Sequence, residues 1–218
     1  MIFDLDDTLF ETRTRSSTIV REWGQQNGNP ILAACKYEHV AFGIEDTLRA
    51  AGLPEADVTG DVGKSVRRFW SPRFFNGSYF KVDTALPGAV AYVNRLAEAG
   101  ARIMYVSGRP ESGRQPSLEA LAAAGFPTGP GTQLFVKPSV PPGAPKLETH
   151  AWKGKVARED LAPLGPIVAA FDNEPANCNA FREALPASGR VIFLDTLYDP
   201  QGPTIAERVT RIEGTYEE

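Results

Sequence analysis

Three clusters of oxygen-bearing side chains, far apart in the chain, are suited to one reaction. They are Asp4-Leu5-Asp6-Asp7-Thr8-Leu9, Ser107-Gly108-Arg109 and Asp172-Asn173-Glu174. Two carboxylates two residues apart, joined by a third from elsewhere, form a hard oxygen donor set of the kind that suits Mg²⁺. A carboxylate beside a metal-neutralised phosphoryl group can attack phosphorus and form an aspartyl-phosphate. A second carboxylate can protonate the leaving alcohol and later deprotonate water. A hydroxyl and backbone N–H groups at Ser107 and Gly108 can hold phosphoryl oxygens, and a lysine can offset charge that the metal leaves unbalanced. Each cluster alone also has a plainer reading. An acidic run can be a solvated turn, Ser107-Gly108-Arg109-Pro110 has the composition of a turn, and Asn173-Glu174 before Pro175 suits a helix start.

Their positions favour the chemical reading. Each cluster directly follows an apolar, β-prone run: Ile2-Phe3, residues 102–106 and residues 167–171. Residues 133–136 and 191–194 are further runs of this kind, and the last four of the five lack alternation, as strands buried on both faces do. Helices are predicted over 87–99, where Val90, Val93, Leu96 and Ala97 share a face, and over 116–124, 151–161 and 175–185. Thr204 and Glu207 form a capping-box pattern, and Ile205, Val209 and Ile212 share a helical face before Gly214, which predicts a last helix. Strands alternating with helices imply a doubly wound α/β sheet. Ligands of such sheets bind beyond the carboxyl ends of the strands, so residues more than 160 positions apart are expected in one crevice.

Residues 12–84 break the rhythm. They contain no convincing strand and read as helical pieces interrupted at Gly28-Asn29-Pro30, Gly52-Leu53-Pro54 and Ser71-Pro72. A connection of this length normally has structure of its own, so an inserted helical domain is expected over 12–84, within a core of 1–11 and 85–218. The Pro/Gly-rich stretch 138–145 reads as a surface loop.

These residues give the chain its resemblance to a known family. Asp4-Leu5-Asp6-Asp7-Thr8-Leu9 matches DxDxT, the first motif of the haloacid dehalogenase-like (HAD) hydrolases. Val106-Ser107-Gly108-Arg109 matches their second motif, a strand ending in Ser or Thr, and Phe171-Asp172-Asn173-Glu174 is similar to their acidic fourth motif. The resemblance covers the core, and the insert stands where the family carries a helical C1 cap. It implies a Rossmann-like HAD core and a phosphatase. Asp4 is then the nucleophile and a Mg²⁺ ligand, and Asp6 the general acid/base with its backbone carbonyl on the metal. Ser107 binds the phosphoryl group with Gly108 and Arg109, Thr8 supports the first loop, and Asp172 or Asn173 completes the metal shell. Asn173 departs from the two adjacent acids often found there, and Asp172 is the preferred ligand. For the third-motif lysine, Lys137, Lys146, Lys153 and Lys155 compete, and Lys153 is chosen.

The family's dehalogenases lack an acid at the position of Asp6, since carbon–halogen cleavage leaves no oxygen to protonate. Asp6 therefore argues for phosphoryl transfer. A phosphomutase shares the same core residues and stays open as an alternative, as does a non-catalytic phosphoryl-binding relative.

Composition narrows the partners. A formal net charge of −4 provides no broad positive field, so nucleic acid is not expected. The basic-aromatic stretch of Lys64, Arg67, Phe69 and Trp70 with Arg68 and Arg73 is similar to a stacking platform, but Val62, Val66 and Phe69 fit a core-facing stripe with the basic residues in water. No apolar run approaches the roughly 20 residues that span a bilayer. The N-terminus lacks the basic start of a signal peptide, and Asp4, Asp6 and Asp7 interrupt its apolar residues. Two distant cysteines, Cys35 and Cys178, exclude a disulfide scaffold and a cysteine-rich zinc site. A cytoplasmic protein with a small phosphorylated substrate is expected; neither the substrate nor the oligomeric state has a signature.

Overall fold

A computed structural model describes residues 1–141 and 143–217. The chain divides into two compact units, Met1–Phe10 with Thr84–Glu218, and Glu11–Asp83. The first unit is built on a six-stranded parallel sheet. Its strands are β1 (Ile2–Phe3), β2 (Ile103–Pro110), β3 (Thr132–Lys137), β4 (Ala169–Asp172), β5 (Arg190–Asp195) and β6 (Val209–Glu213), in the spatial order β3-β2-β1-β4-β5-β6. The chain lays β2 and β3 on one side of β1, then crosses to lay β4, β5 and β6 on the other. The reversal puts the switch point at the end of β1, where Asp4 stands.

The side chains alternate as a pleated sheet requires. Phe3, Tyr105, Phe171 and Leu194 enter one core with Val93 and Leu121 of the helices Ala89–Glu98 and Arg114–Ala124. Ile2, Met104, Val106 and Phe193 enter the other with Trp152, Cys178 and Phe181 of the helices Thr149–Lys155 and Pro175–Ala184. Helices on both faces explain why the strand sequences are almost continuously apolar. Phe3 and Phe171 stack at 4.6 Å, which fixes β1 against β4 beside the site. Burying one such side chain is worth about 1.5–3 kcal/mol.

Two elements differ from the sequence expectation. The last helix is absent, and Val209–Glu213 forms β6, paired from Val191↔Val209 to Asp195↔Glu213. Asn179 explains why the capping pattern fails. Its amide donates to the Thr204 carbonyl at 2.9 Å and its oxygen accepts from the Ala206 N–H at 2.7 Å, so this backbone is tied outward instead of turning on itself. The open edge of β5 then offers hydrogen bonds to a segment whose Val209, Thr210 and Ile212 are β-branched. The second difference lies after Lys155, where the helix widens into a π turn, Val156–Leu161. In the stretch 138–145 the described residues are exposed, and Pro142 lies outside the described residues.

The unit Glu11–Asp83 is helical, with Arg13–Gln26, Ile44–Ala50 and Asp61–Phe74 as its longer helices. Val20, Trp23, Leu32, Leu48 and Val66 form its core, with Val62, Phe69 and Trp70 packed against it. Lys64, Arg67 and Arg68 are exposed, Arg67 pairs with Glu45, and the Arg73 guanidinium lies 3.4 Å from the Phe69 ring centroid. The basic residues thus occupy the wet side of a helix whose apolar side is buried. Among the described residues, no helix is long and apolar enough to cross a membrane.

Candidate active site

Asp4 continues β1 by one residue, its N–H donating to the Phe171 carbonyl at 3.0 Å. The chain then turns sharply, and the N–H groups of Leu9 and Phe10 both donate to the Leu5 carbonyl at 2.9 Å. The turn needs a left-handed residue, and Asp7 supplies it at φ 53°. Few non-glycine residues adopt this conformation, with Asp and Asn among the exceptions. Asp6 projects from this turn, whereas Asp4 belongs to the sheet.

At the end of β2 the register shifts between Ser107 and Pro110, a bulge that re-aims the side chains there. Ser107 is buried, and its Oγ accepts from the Arg109 N–H at 3.3 Å. Arg109 is fully buried. Its Nη2 lies 2.6 Å from Asp6 Oδ1, its Nε is 3.2 Å from both Asp6 oxygens, and its Nη1 donates to Ser117 Oγ at 3.1 Å. The guanidinium expected at a phosphoryl group is instead directed at the second carboxylate of the first motif.

Asp172 ends β4 directly before the helix Pro175–Ala184. Its Oδ1 accepts from the Glu174 N–H at 2.9 Å and from Asn177 Nδ2 at 3.0 Å. Its Oδ2 lies 2.7 Å from the Lys153 ammonium, which is also 2.7 Å from Asp4 Oδ1. Three buried charges from three elements thereby form one array. The other lysines stand elsewhere: Lys155 is exposed near Glu159, Lys146 is exposed near Glu148, and Lys137 donates to Thr149 Oγ1 at 3.0 Å.

Thr8 and Asn173 meet beside the first loop. The Thr8 hydroxyl donates to Asn173 Oδ1 at 3.2 Å, and Asn173 Nδ2 donates to the Leu197 carbonyl at 2.5 Å. Their side chains tie the first loop to the loop after β5. Asp172, not Asn173, shares an ammonium with Asp4. Asn177 escaped the sequence reading. Its only sequence signal is its place one turn into the helix that follows a strand-ending Asp.

Burial sets the electrostatics. It raises the Asp4 carboxyl to about 7; Lys153 opposes the rise and Asp172 adds to it. Burial and the neighbouring Asp172 raise Glu174 to about 8. Burial works against the Lys153 ammonium, but Asp172 and Asp4 outweigh it and the pKa moves up, so the lysine stays charged. Among the described residues, no group of three or more His, Cys, Asp or Glu side chains is placed to hold a metal ion. A cation here would draw on the carboxylates of Asp4 and Asp172, with backbone oxygens and water. Mg²⁺ tolerates such a set, since it keeps several waters and takes one or two carboxylates.

No family model and no curated protein matches the sequence. Solved structures do match. A haloacid dehalogenase-like family hydrolase from Streptococcus pneumoniae has a TM-score of 0.53 and 12% identity, over 91% of this chain and 86% of that one. A protein from Lactobacillus delbrueckii subsp. bulgaricus, described as a candidate phosphoglycolate phosphatase, has a TM-score of 0.60 and 15% identity, over 97% and 92%. The chain has the haloacid dehalogenase-like fold. Protein tyrosine kinase A from Mycobacterium tuberculosis is similar too, with a TM-score of 0.58 and 18% identity over 96% and 91%. At these identities the likeness is one of fold, and proteins of different names share this haloacid dehalogenase-like architecture. The reaction must therefore be argued from the site.

Proposed function

We propose that this chain is a Mg²⁺-dependent phosphomonoesterase acting on a small phosphorylated metabolite in the cytosol. One observation carries the reading: two carboxylates two residues apart occupy opposite settings. Asp4 is buried against Lys153 and Asp172, while Asp6 is 21% exposed and held by Arg109. Such a division suits a nucleophile and a separate proton carrier. The candidate phosphoglycolate phosphatase among the solved structures of this fold supports phosphoryl transfer, and the buried free thiols of Cys35 and Cys178 suit a reducing compartment.

The reaction follows from these placements. An Asp4 carboxylate oxygen attacks phosphorus, the ester P–O bond breaks, and Asp6 gives its proton to the leaving oxygen. Asp6 then takes a proton from water, whose oxygen attacks the phosphorus of the aspartyl-phosphate. The bond from Asp4 to phosphorus breaks, which frees inorganic phosphate and restores the carboxylate. Ser107 and the backbone at Gly108 hold phosphoryl oxygens, and Lys153 keeps Asp4 and Asp172 aligned through both steps. Mg²⁺ bound by the carboxylates of Asp4 and Asp172 would offset the charge of the phosphoryl oxygens.

Hydrolysis of an aryl phosphate with and without Mg²⁺ tests the reading. Asp4→Asn should abolish turnover. Asp6→Asn should cripple it while Mg²⁺ binding persists, since the proposed contact of Asp6 with the metal is through its carbonyl. Wild-type turnover in Asp4→Asn would defeat the proposal.

A further inference from the structure

The catalytic turn is held from the far end of the chain. Two hydroxyls take its successive carbonyls: Thr196 Oγ1 donates to the Asp7 carbonyl, and the Tyr216 hydroxyl to the Thr8 carbonyl at 3.1 Å. Both carbonyls lie directly beyond Asp6, at the left-handed residue and its neighbour. A left-handed aspartate persists where its surroundings over-determine it. These two hydroxyls, the Asp7 N–H on the Phe10 carbonyl and the Thr8 hydroxyl on Asn173 supply such constraints.

Tyr216 is placed for this contact. It is buried, its N–H donates to the Pro87 carbonyl at 2.9 Å, and its ring packs 5.3 Å from Tyr92 and 6.0 Å from Phe171. Gly88 admits the segment. At φ 74° it takes a conformation that disfavours side chains, and a Cβ there would lie 2.7 Å from the Tyr216 carbonyl carbon.

We propose that Tyr216 is a positioning residue for Asp6: with Thr196, its hydroxyl fixes the turn so that the Asp6 carboxylate meets the leaving oxygen. The inference rests on the phosphomonoesterase reading. It separates the two carboxylates, because the sheet fixes Asp4 through its N–H on the Phe171 carbonyl, while Asp6 depends on the turn. Loosening the turn should therefore slow proton transfer and spare nucleophilic attack.

Leaving-group dependence tests this. A good leaving group needs little protonation, whereas an alkoxide needs it fully. Tyr216→Phe keeps the ring and removes the hydroxyl. Its kcat/KM, which reports the steps up to loss of the alcohol and not the shared hydrolysis of the aspartyl-phosphate, should fall roughly tenfold on an alkyl phosphate and stay within about twofold on an aryl phosphate. Thr196→Val should show the same asymmetry, and it alone decides the matter if Tyr216→Phe does not fold by circular dichroism. Equal losses on the two esters, or none on the alkyl ester, would overturn the positioning role. A wild-type protein inert toward both esters would overturn the phosphomonoesterase reading, and this proposal with it.

Discussion

The Arg109 guanidinium holds the Asp6 carboxylate across 103 positions of sequence, with Nη2 2.6 Å from Oδ1. Three of its nitrogens are engaged, two on Asp6 and one on Ser117. An arginine fork meets this geometry and an ammonium cannot. Arg109→Lys should therefore keep the charge yet lower kcat by about tenfold or more with KM little changed. Steady-state kinetics with wild-type values would reduce Arg109 to a packing residue.

Lys153 is the cation between two buried carboxylates. Removing one partner of a buried ionic array costs about 3–5 kcal/mol, because the remaining charges lose compensation. Lys153→Met should lower the unfolding midpoint sharply in metal-free buffer. Millimolar Mg²⁺ should narrow the gap to wild type by restoring positive charge beside Asp4 and Asp172. A gap that Mg²⁺ leaves unchanged would argue that no metal binds these carboxylates.

The raised carboxyls fix the sign of a pH effect. Asp4 at about 7 and Glu174 at about 8 retain protons that the unfolded chain, with carboxyls near 4, has released. The native state binds more protons across this window, so its stability declines as pH rises from about 4 through 8. Chemical denaturation in chelator should show the decline between pH 5 and pH 8.5. Glu174→Gln should flatten the upper part of the slope, and Mg²⁺ the part that comes from Asp4. A stability that rises across this range would contradict both assignments.

Asn177 donates to Asp172 Oδ1 at 3.0 Å. Asn177→Asp would set a third carboxylate against Asp172, lowering metal-free stability by about 1–3 kcal/mol and tightening Mg²⁺ binding. Titration calorimetry alongside denaturation reads both. Weaker Mg²⁺ binding in the variant would place the metal away from Asp172.

The sequence by itself determined which residues end the strands and what chemistry they can do. Asp4, Ser107 and Asp172 each follow an apolar run, and a strand is a local pattern: β-branched and aromatic residues, bounded by polar ones, announce it. The class of sheet was legible for the same reason, as were most of the helices around it. The strand at Val209–Glu213 was not, because Thr204 and Glu207 obey a helical rule locally. The choice was made by Asn179 and the open edge of β5, neither of which lies within reach of a short window. The site shows the same boundary. Lys153 lies two residues from Lys155 in the same helix, and only packing decides that one ammonium is buried between Asp4 and Asp172 while the other meets water. The partners of Arg109, Asn173 and Tyr216 were likewise decided by tertiary structure, since a buried donor must bond whatever the fold brings within about 3 Å.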